Sequence, residues 1–141
     1  MNSHDTESGL NHAIVEFYEK LSSWEHAIVR EQGISLSHVH TLEALGFHGA
    51  MRMKELAEKI GVTTGTLTVQ VEKLVAAGLV ERLPNETDRR SVRVGLTAQG
   101  QTLFQAHSDQ HHALTAELTA DFSEQERGVL LSFFERMNRH F

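Results

Sequence analysis

Residues 57–100 constrain the fold more than any other part of the chain, because two short helical patterns run directly into an alternating hairpin pattern. The first pattern, Lys54–Gly61, has apolar residues at helical spacing and stops at a glycine. Thr63 then suits the N-cap of a second helix, since its hydroxyl can accept a hydrogen bond from a first-turn amide. The apolar residues of that helix recur at spacings of four and three: Leu67, Val71 and Leu74. A helix-turn-helix is therefore predicted.

A two-stranded wing is predicted after the second helix, which closes at Gly78. Leu79–Leu83 alternates like a strand, residues 84–88 have turn chemistry, and Arg89–Val94 alternates again. Guanidinium groups suit phosphates and a narrow minor groove, and the tip and returning strand carry three of them: Arg89, Arg90 and Arg93. The predicted fold class is mainly α with a small β-wing, a winged helix-turn-helix.

The outer surface of the second helix is the predicted DNA-reading surface. Four short hydrogen-bonding side chains lie off the apolar face in its N-terminal half: Thr64, Thr66, Thr68 and Gln70. A recognition helix presents such groups to base edges in the major groove, while arginines of the wing contact phosphates. The alternative is a helical hairpin that serves as plain scaffold and binds no nucleic acid.

The region from about Ile34 to Gly100 resembles the winged-helix regulators of the MarR (multiple antibiotic resistance regulator) family. Members share an Asp-x-Arg wing followed by a strand and Leu-Thr-x-x-Gly, and this chain has Asp88-Arg89-Arg90, then Val92-Arg93-Val94, then Leu96-Thr97-Ala98-Gln99-Gly100. The resemblance implies a homodimer built by the N- and C-terminal helices and a pseudo-palindromic operator in double-stranded DNA. It further implies that Asp88 shapes the wing and that Arg90 enters the minor groove.

The charge distribution agrees with a DNA-reading segment, although the net charge of the chain is −6. Residues 51–97 carry eight Lys/Arg and six Asp/Glu, whereas the rest of the chain carries five and thirteen. The segment that includes the predicted reader is therefore basic by two charges and the flanks are acidic by eight. Attraction to phosphates depends on where the charge lies rather than on its total.

The flanking segments are predicted to be helical and to form the dimer. We expect a disordered tail over residues 1–8 and one domain over 9–141, with the winged helix-turn-helix at about 34–97. Dimerisation helices cover about 9–32 and 98–140, and their surplus apolar faces are expected to meet a second copy of the chain. There is no long apolar run, so we expect no membrane segment and a cytoplasmic location.

Ten histidines suggest a metal as the controlling signal, and the absence of cysteine excludes thiolate ligands and cysteine oxidation. His107 and His111 are four residues apart on a predicted helix, so two imidazoles share one face. Their spacing from Leu96-Thr97 resembles that of a zinc-responsive branch of the family that represses zinc-uptake genes. That resemblance implies Glu25 and His40 as the other ligands, with zinc as corepressor. Val39 stands where the branch has an acidic ligand of a second site.

Chance spacing of the histidines and an organic effector both stay open as alternatives to a metal. Ten histidines scattered at random in a chain of this length would give on the order of one i,i+4 pair. Many family members are instead released from DNA by an aromatic or other organic ligand, and a pocket for one could be lined by Trp24, Phe47, His38 and His48. A zinc hydrolase is not expected, because a His-Glu-x-x-His helix would need glutamate where Ser108 stands.

Overall fold

The computed structural model describes residues 2–84, 87–88 and 91–141. The elements in chain order are α1 (Ser3–Gln32), α2 (Leu36–His48), β1 (Met51–Arg52), α3 (Met53–Ile60), α4 (Thr64–Ala76), β2 (Val80–Pro84), β3 (Val92–Leu96), α5 (Ala98–Leu118) and α6 (Glu124–Asn138). The strands form one antiparallel sheet in the order β1-β3-β2. The chain divides into two compact units, one ending at Phe104 and the other Gln105–Phe141.

Helix boundaries follow local capping chemistry. The Thr63 hydroxyl accepts from the amide of Thr66 at 3.2 Å, which begins α4 at the predicted place. Ser123 and Glu126 form the reciprocal capping box that begins α6, and the hydrogen bond from the Ser123 amide lowers the pKa of the Glu126 carboxyl. Gly33 ends α1 with φ of 73°, a left-handed conformation that glycine adopts without strain.

The hydrophobic core of the first unit fixes the helix-turn-helix. Its buried members come from α2, β1, α3, α4, the turn after α4, and strands β2 and β3: Leu42, Leu45, Met51, Leu56, Ala57, Leu67, Val71, Leu74, Leu79, Val80 and Val94. The α4 residues among them are those predicted from the spacing of four and three. Their burial turns the opposite surface of α4 outward.

The wing hairpin pairs β2 with β3 from Val80↔Leu96 to Pro84↔Val92. A third strand, β1, pairs with the same β3 and was not predicted. Two residues are too short to show an alternating pattern, so only the distant partner strand defines β1. The described part of the returning strand begins at Val92, and the predicted wing arginines Arg89 and Arg90 lie outside the described residues.

Two helices extend over residues that do not favour a helix by themselves. α1 begins at Ser3, so residues 3–8, expected as a disordered tail, are helical and exposed. α2 continues through Gly46 to His48, past a residue type that disfavours helices. A Cβ on Gly46 would lie 2.6 Å from atoms of the Phe104 ring. This glycine therefore permits close packing of α2 on the start of α5 and does not break the helix.

The Leu-Thr-x-x-Gly motif joins the start of α5 to the end of α4. The Thr97 hydroxyl donates to the carbonyl of Gly78 at 2.6 Å and accepts from the amide of Gly100 at 3.0 Å. The Thr97 amide also donates to the carbonyl of Leu79 at 3.1 Å. Gly100 lies so close to Leu79 that a Cβ would overlap its carbonyl oxygen. The motif is thus a tight backbone junction within the first unit.

Helices α1 and α6 carry apolar side chains that remain exposed. On α1 these are Leu10, Ile14, Val15, Phe17 and Tyr18, and on α6 they are Val129, Leu131, Phe133, Phe134 and Met137. α6 has no buried residue. Within the described ranges, no helix is long and apolar enough to cross a membrane.

Candidate nucleic-acid interface and metal ligands

Three threonines occupy the exposed surface of α4 in its first two turns: Thr64, Thr66 and Thr68. The Thr68 hydroxyl donates to the carbonyl of Thr64 at 2.8 Å, and the Thr66 hydroxyl accepts from that of Thr63 at 3.0 Å. These contacts orient the hydroxyls of Thr66 and Thr68, and both keep a lone pair that can accept a further hydrogen bond. The arrangement suits contacts with base-edge donors in a major groove.

Gln70, the fourth predicted base contact, is only partly exposed. Its side-chain oxygen accepts from the hydroxyl of Thr41 at 3.4 Å, and Thr41 is fully buried on α2. That contact directs the amide oxygen toward α2 and leaves the NH₂ group as the donor for a base. A bidentate contact with adenine uses both amide atoms, and the Gln70 oxygen has a second lone pair for it besides the one that accepts from Thr41.

Val69 is a residue of α4 that the sequence reasoning missed. Its side chain is 52% exposed, although the apolar face of the helix is buried. A signal was present in the sequence, since Val69 falls outside the spacing of Leu67, Val71 and Leu74. An exposed aliphatic group on a recognition helix can contact the methyl group of thymine.

Replacing Gln70 with alanine should change the ranking of DNA sequences more than it changes the overall affinity. The variant should also lose at most about 1 kcal/mol of stability, because the Thr41 hydroxyl keeps its contact with the carbonyl of Ser37 at 3.1 Å. The ranking is measured by competition binding, in which each competitor duplex differs from the operator by one base pair. The exposed Gln101 of α5 supplies the control Gln101→Ala. Equal weakening on every duplex would contradict a base-reading role.

Two of the predicted wing residues, Asp88 and Arg93, lie in the described part of the chain. Asp88 is exposed and its carbonyl accepts from the amide of Ser91 at 3.1 Å. Arg93 is exposed on β3. For Arg89 and Arg90 the roles remain predictions.

The histidine pair predicted on α5 is present within the second unit. The Nε2 atoms of His107 and His111 lie 3.1 Å apart, and the ring centroids are separated by 4.7 Å. His107 is 2% exposed. Two ligands of one tetrahedral zinc at the usual Zn–N length would be separated by roughly 3.3 Å. The two imidazoles therefore have the spacing that a shared metal ion needs.

A carboxylate pair lies within the first unit. Oxygens of Glu25 on α1 and Glu43 on α2 are within 4.8 Å of each other, and both side chains are half-buried. Glu43 was not predicted, whereas the predicted ligand His40 is exposed on the same helix, three residues earlier. The sequence alone did not distinguish them, because both residue types bind zinc.

The residues named for an organic-ligand pocket have mixed environments. Phe47 is 70% exposed and packs edge to face on Phe104, with ring centroids 5.3 Å apart. His38 is half-buried, and burial, followed by the charge of Lys73 on α4, lowers its pKa. Trp24 is half-buried and His48 is exposed.

Comparisons with known proteins agree with this geometry. The MarR family model matches residues 34–92. The chain is 30% identical over 100 residues to the HTH-type transcriptional regulator PecS of Dickeya dadantii, an alignment that covers 71% of this chain and 60% of PecS. The fold is similar to that of a MarR family protein from Bacillus stearothermophilus, with a TM-score of 0.89, 20% identity and coverage of 99% and 98%. It is also similar to Streptococcus pneumoniae FabT in complex with DNA, with a TM-score of 0.86, 23% identity and coverage of 95% and 96%.

The described residues thus form a winged helix-turn-helix, residues 34–92 match the MarR family, and the aligned part of the chain spans less than two thirds of PecS. The predicted fold class is confirmed, because the described ranges contain six helices and a small three-stranded antiparallel sheet. PecS is an HTH-type transcriptional regulator, which agrees with the prediction that this chain is not an enzyme.

Proposed function

We propose that this chain is a homodimeric, cytoplasmic repressor that binds a pseudo-palindromic operator through α4 and the wing. The observation that carries the proposal is the exposed row Thr64, Thr66 and Thr68 on a helix whose opposite face is locked into the core. Arg93 adds a cation on the described wing strand. The DNA complex of FabT, which has a similar fold, gives further support.

The proposed dimer would use the exposed apolar side chains of α1 and α6. Each helix presents several large apolar groups to solvent, and such groups are usually covered by a partner surface. A two-fold axis would present two α4 helices to successive major grooves, with centres about 34 Å apart. The operator should therefore contain two inverted half-sites.

The test of DNA binding is titration of labelled duplex with the purified chain at several salt concentrations. We expect the logarithm of the association constant to fall linearly with the logarithm of salt concentration, because bound cations are released from phosphates. Tighter binding to a subset of duplexes should remain at high salt. Absence of any salt-dependent binding would overturn the proposal.

We propose zinc as the corepressor, held by His107 and His111 together with Glu25 and His40. The spacing of the imidazole Nε2 atoms, 3.1 Å, and the proximity of Glu25 to a second carboxylate support this proposal. Glu25 and His40 are the partners that the resemblance implies, and Glu43 competes with His40 for the fourth position. A bound divalent metal supplies a cross-link among the helices that carry its ligands.

The coupling to DNA needs a difference in metal affinity between two arrangements of the dimer. The arrangement in which the α4 helices match the operator must hold the metal more tightly, and about 1–3 kcal/mol is the usual size of such coupling. Deprotonated carboxylates and neutral imidazoles are the metal-binding forms, so acid should weaken the response.

Removing the metal should weaken operator binding about 5–150-fold, the range that corresponds to this coupling. The measurement is metal content of untagged protein, followed by DNA titration with zinc or a chelator at fixed salt. His107→Ala should lose the zinc response, while His112→Ala, an exposed neighbour on α5, should keep it. Loss of the response in Glu43→Gln but not in His40→Gln would assign the fourth ligand to Glu43. No bound metal and no chelator effect would favour release by an organic ligand instead.

A further inference from the structure

Two arginines lie directly opposite each other on neighbouring strands of the sheet. The register pairs Arg52 of β1 with Arg93 of β3, and both side chains are exposed. The preceding pair, Met51 and Val94, is buried in the core. Because strand side chains alternate between faces, the two arginines share the outer face of the sheet.

This pairing is unfavourable in the protein alone. Like charges directly opposite on antiparallel strands repel, with Cβ atoms typically 4.5–5.5 Å apart. Among the residues with described positions, neither guanidinium has a carboxylate within 4.0 Å. On the same face, Glu81 of β2 lies opposite Gly95, which is two residues after Arg93 on β3. The sheet thus holds two neighbouring cations that form no ion pair with any other residue of the described ranges.

Arg52 also stands immediately before α3. It is the N-cap residue of that helix, and its side chain makes no capping hydrogen bond. The first-turn amides of α3 add positive potential near Arg52. A negatively charged group bound beside Arg52 and Arg93 would therefore contact both guanidinium groups and lie near the N-terminus of α3.

We propose that Arg52 and Arg93 together bind one backbone phosphate of the DNA, a site that rests on the proposed DNA-binding function. Each planar guanidinium can donate two parallel hydrogen bonds to phosphate oxygens. Because β1 and β3 are adjacent, both guanidinium groups can reach a single phosphate. The negative charge of the phosphate then offsets the repulsion between the two arginines. Phosphate contacts fix the position of the protein on the duplex without reading sequence.

The test compares Arg52→Gln, Arg93→Gln and the double variant in duplex titrations over a range of salt. Each single variant should bind all duplexes about 5–30-fold more weakly, and the salt slope should fall by about 1. The double variant should lose less than the product of the single losses, because both arginines act on one phosphate. The melting temperature of Arg52→Gln without DNA should be unchanged or raised.

Arg82→Gln is the matched control, because Arg82 lies on the same sheet but pairs with the buried Val94. If Arg52→Gln binds like the wild type, or if Arg82→Gln loses as much, the proposed phosphate site is wrong. Titration with inorganic phosphate at constant ionic strength tests a small-anion site. Phosphate binding that Arg52→Gln abolishes while its DNA affinity is unchanged would also overturn the proposal. Failure of the wild type to bind any duplex would instead refute the proposed function.

Discussion

The Gly100→Ala variant is expected to lose about 3 kcal/mol or more of stability, at the upper end of the cost of overpacking. Gly100 lies in the first turn of α5 against the backbone of Leu79, and a Cβ would overlap the Leu79 carbonyl oxygen. Backbone cannot move aside as a side-chain end can. Relief would also disturb the hydrogen bonds of the Thr97 hydroxyl to Gly78 and Gly100. Chemical denaturation at fixed protein concentration measures the loss.

Gly65→Ala is the matched control, since Gly65 lies in the first turn of α4 in the same unit. The nearest atom to a Cβ there is the Thr63 hydroxyl oxygen at 4.0 Å, which is ordinary contact. Alanine favours helix over glycine, so this variant should gain about 0.5–1 kcal/mol. Equal stability of the two alanine variants would contradict the tight junction at the Leu-Thr-x-x-Gly motif.

Replacing Arg90 with alanine is expected to weaken DNA binding by about 1–3 kcal/mol, or roughly 5–150-fold. The expectation comes from the Asp-x-Arg motif, in which the resemblance places this arginine in the minor groove. A narrow minor groove has strong negative potential, which a guanidinium complements without reading individual bases. The loss should therefore extend to most sequences, and duplex titration at several salt concentrations should show a slope smaller by about 1.

Arg30→Ala is the control for the loss of one positive charge, because Arg30 is exposed in the last turn of α1, far along the chain from the wing. It should leave DNA affinity and the salt slope nearly unchanged. An Arg90→Ala variant with wild-type affinity, or one that loses no more than Arg30→Ala, would refute the wing contact.

Local chemistry made much of the fold predictable from the sequence. Thr63 and Ser123 have side chains that cap a helix, and the structure begins α4 and α6 beside them. The spacing of Leu67, Val71 and Leu74 defined the buried face of α4 and therefore its outer surface. Each of these signals lies within one or two helical turns.

Features that depend on distant partners were missed. β1 exists because Met51 and Arg52 pair with β3, about forty residues later. Gly46 lies within a continuous α2, and the Phe104 ring occupies the space that a Cβ at this position would need. Glu43 and His40 are both plausible metal ligands in the sequence, and only the tertiary structure shows that Glu43 lies beside Glu25. The residue types in the sequence identify candidate metal ligands, but the packing of the helices determines which of them lie close together.

The most direct test of the central claim is selection of bound duplexes from a random library by the full chain, with zinc present. A homodimer that reads DNA with two α4 helices should enrich an inverted repeat whose half-sites are centred about 10 base pairs, or one helical turn, apart. Enrichment of a single unrepeated site, or no enrichment above the input library, would contradict the account.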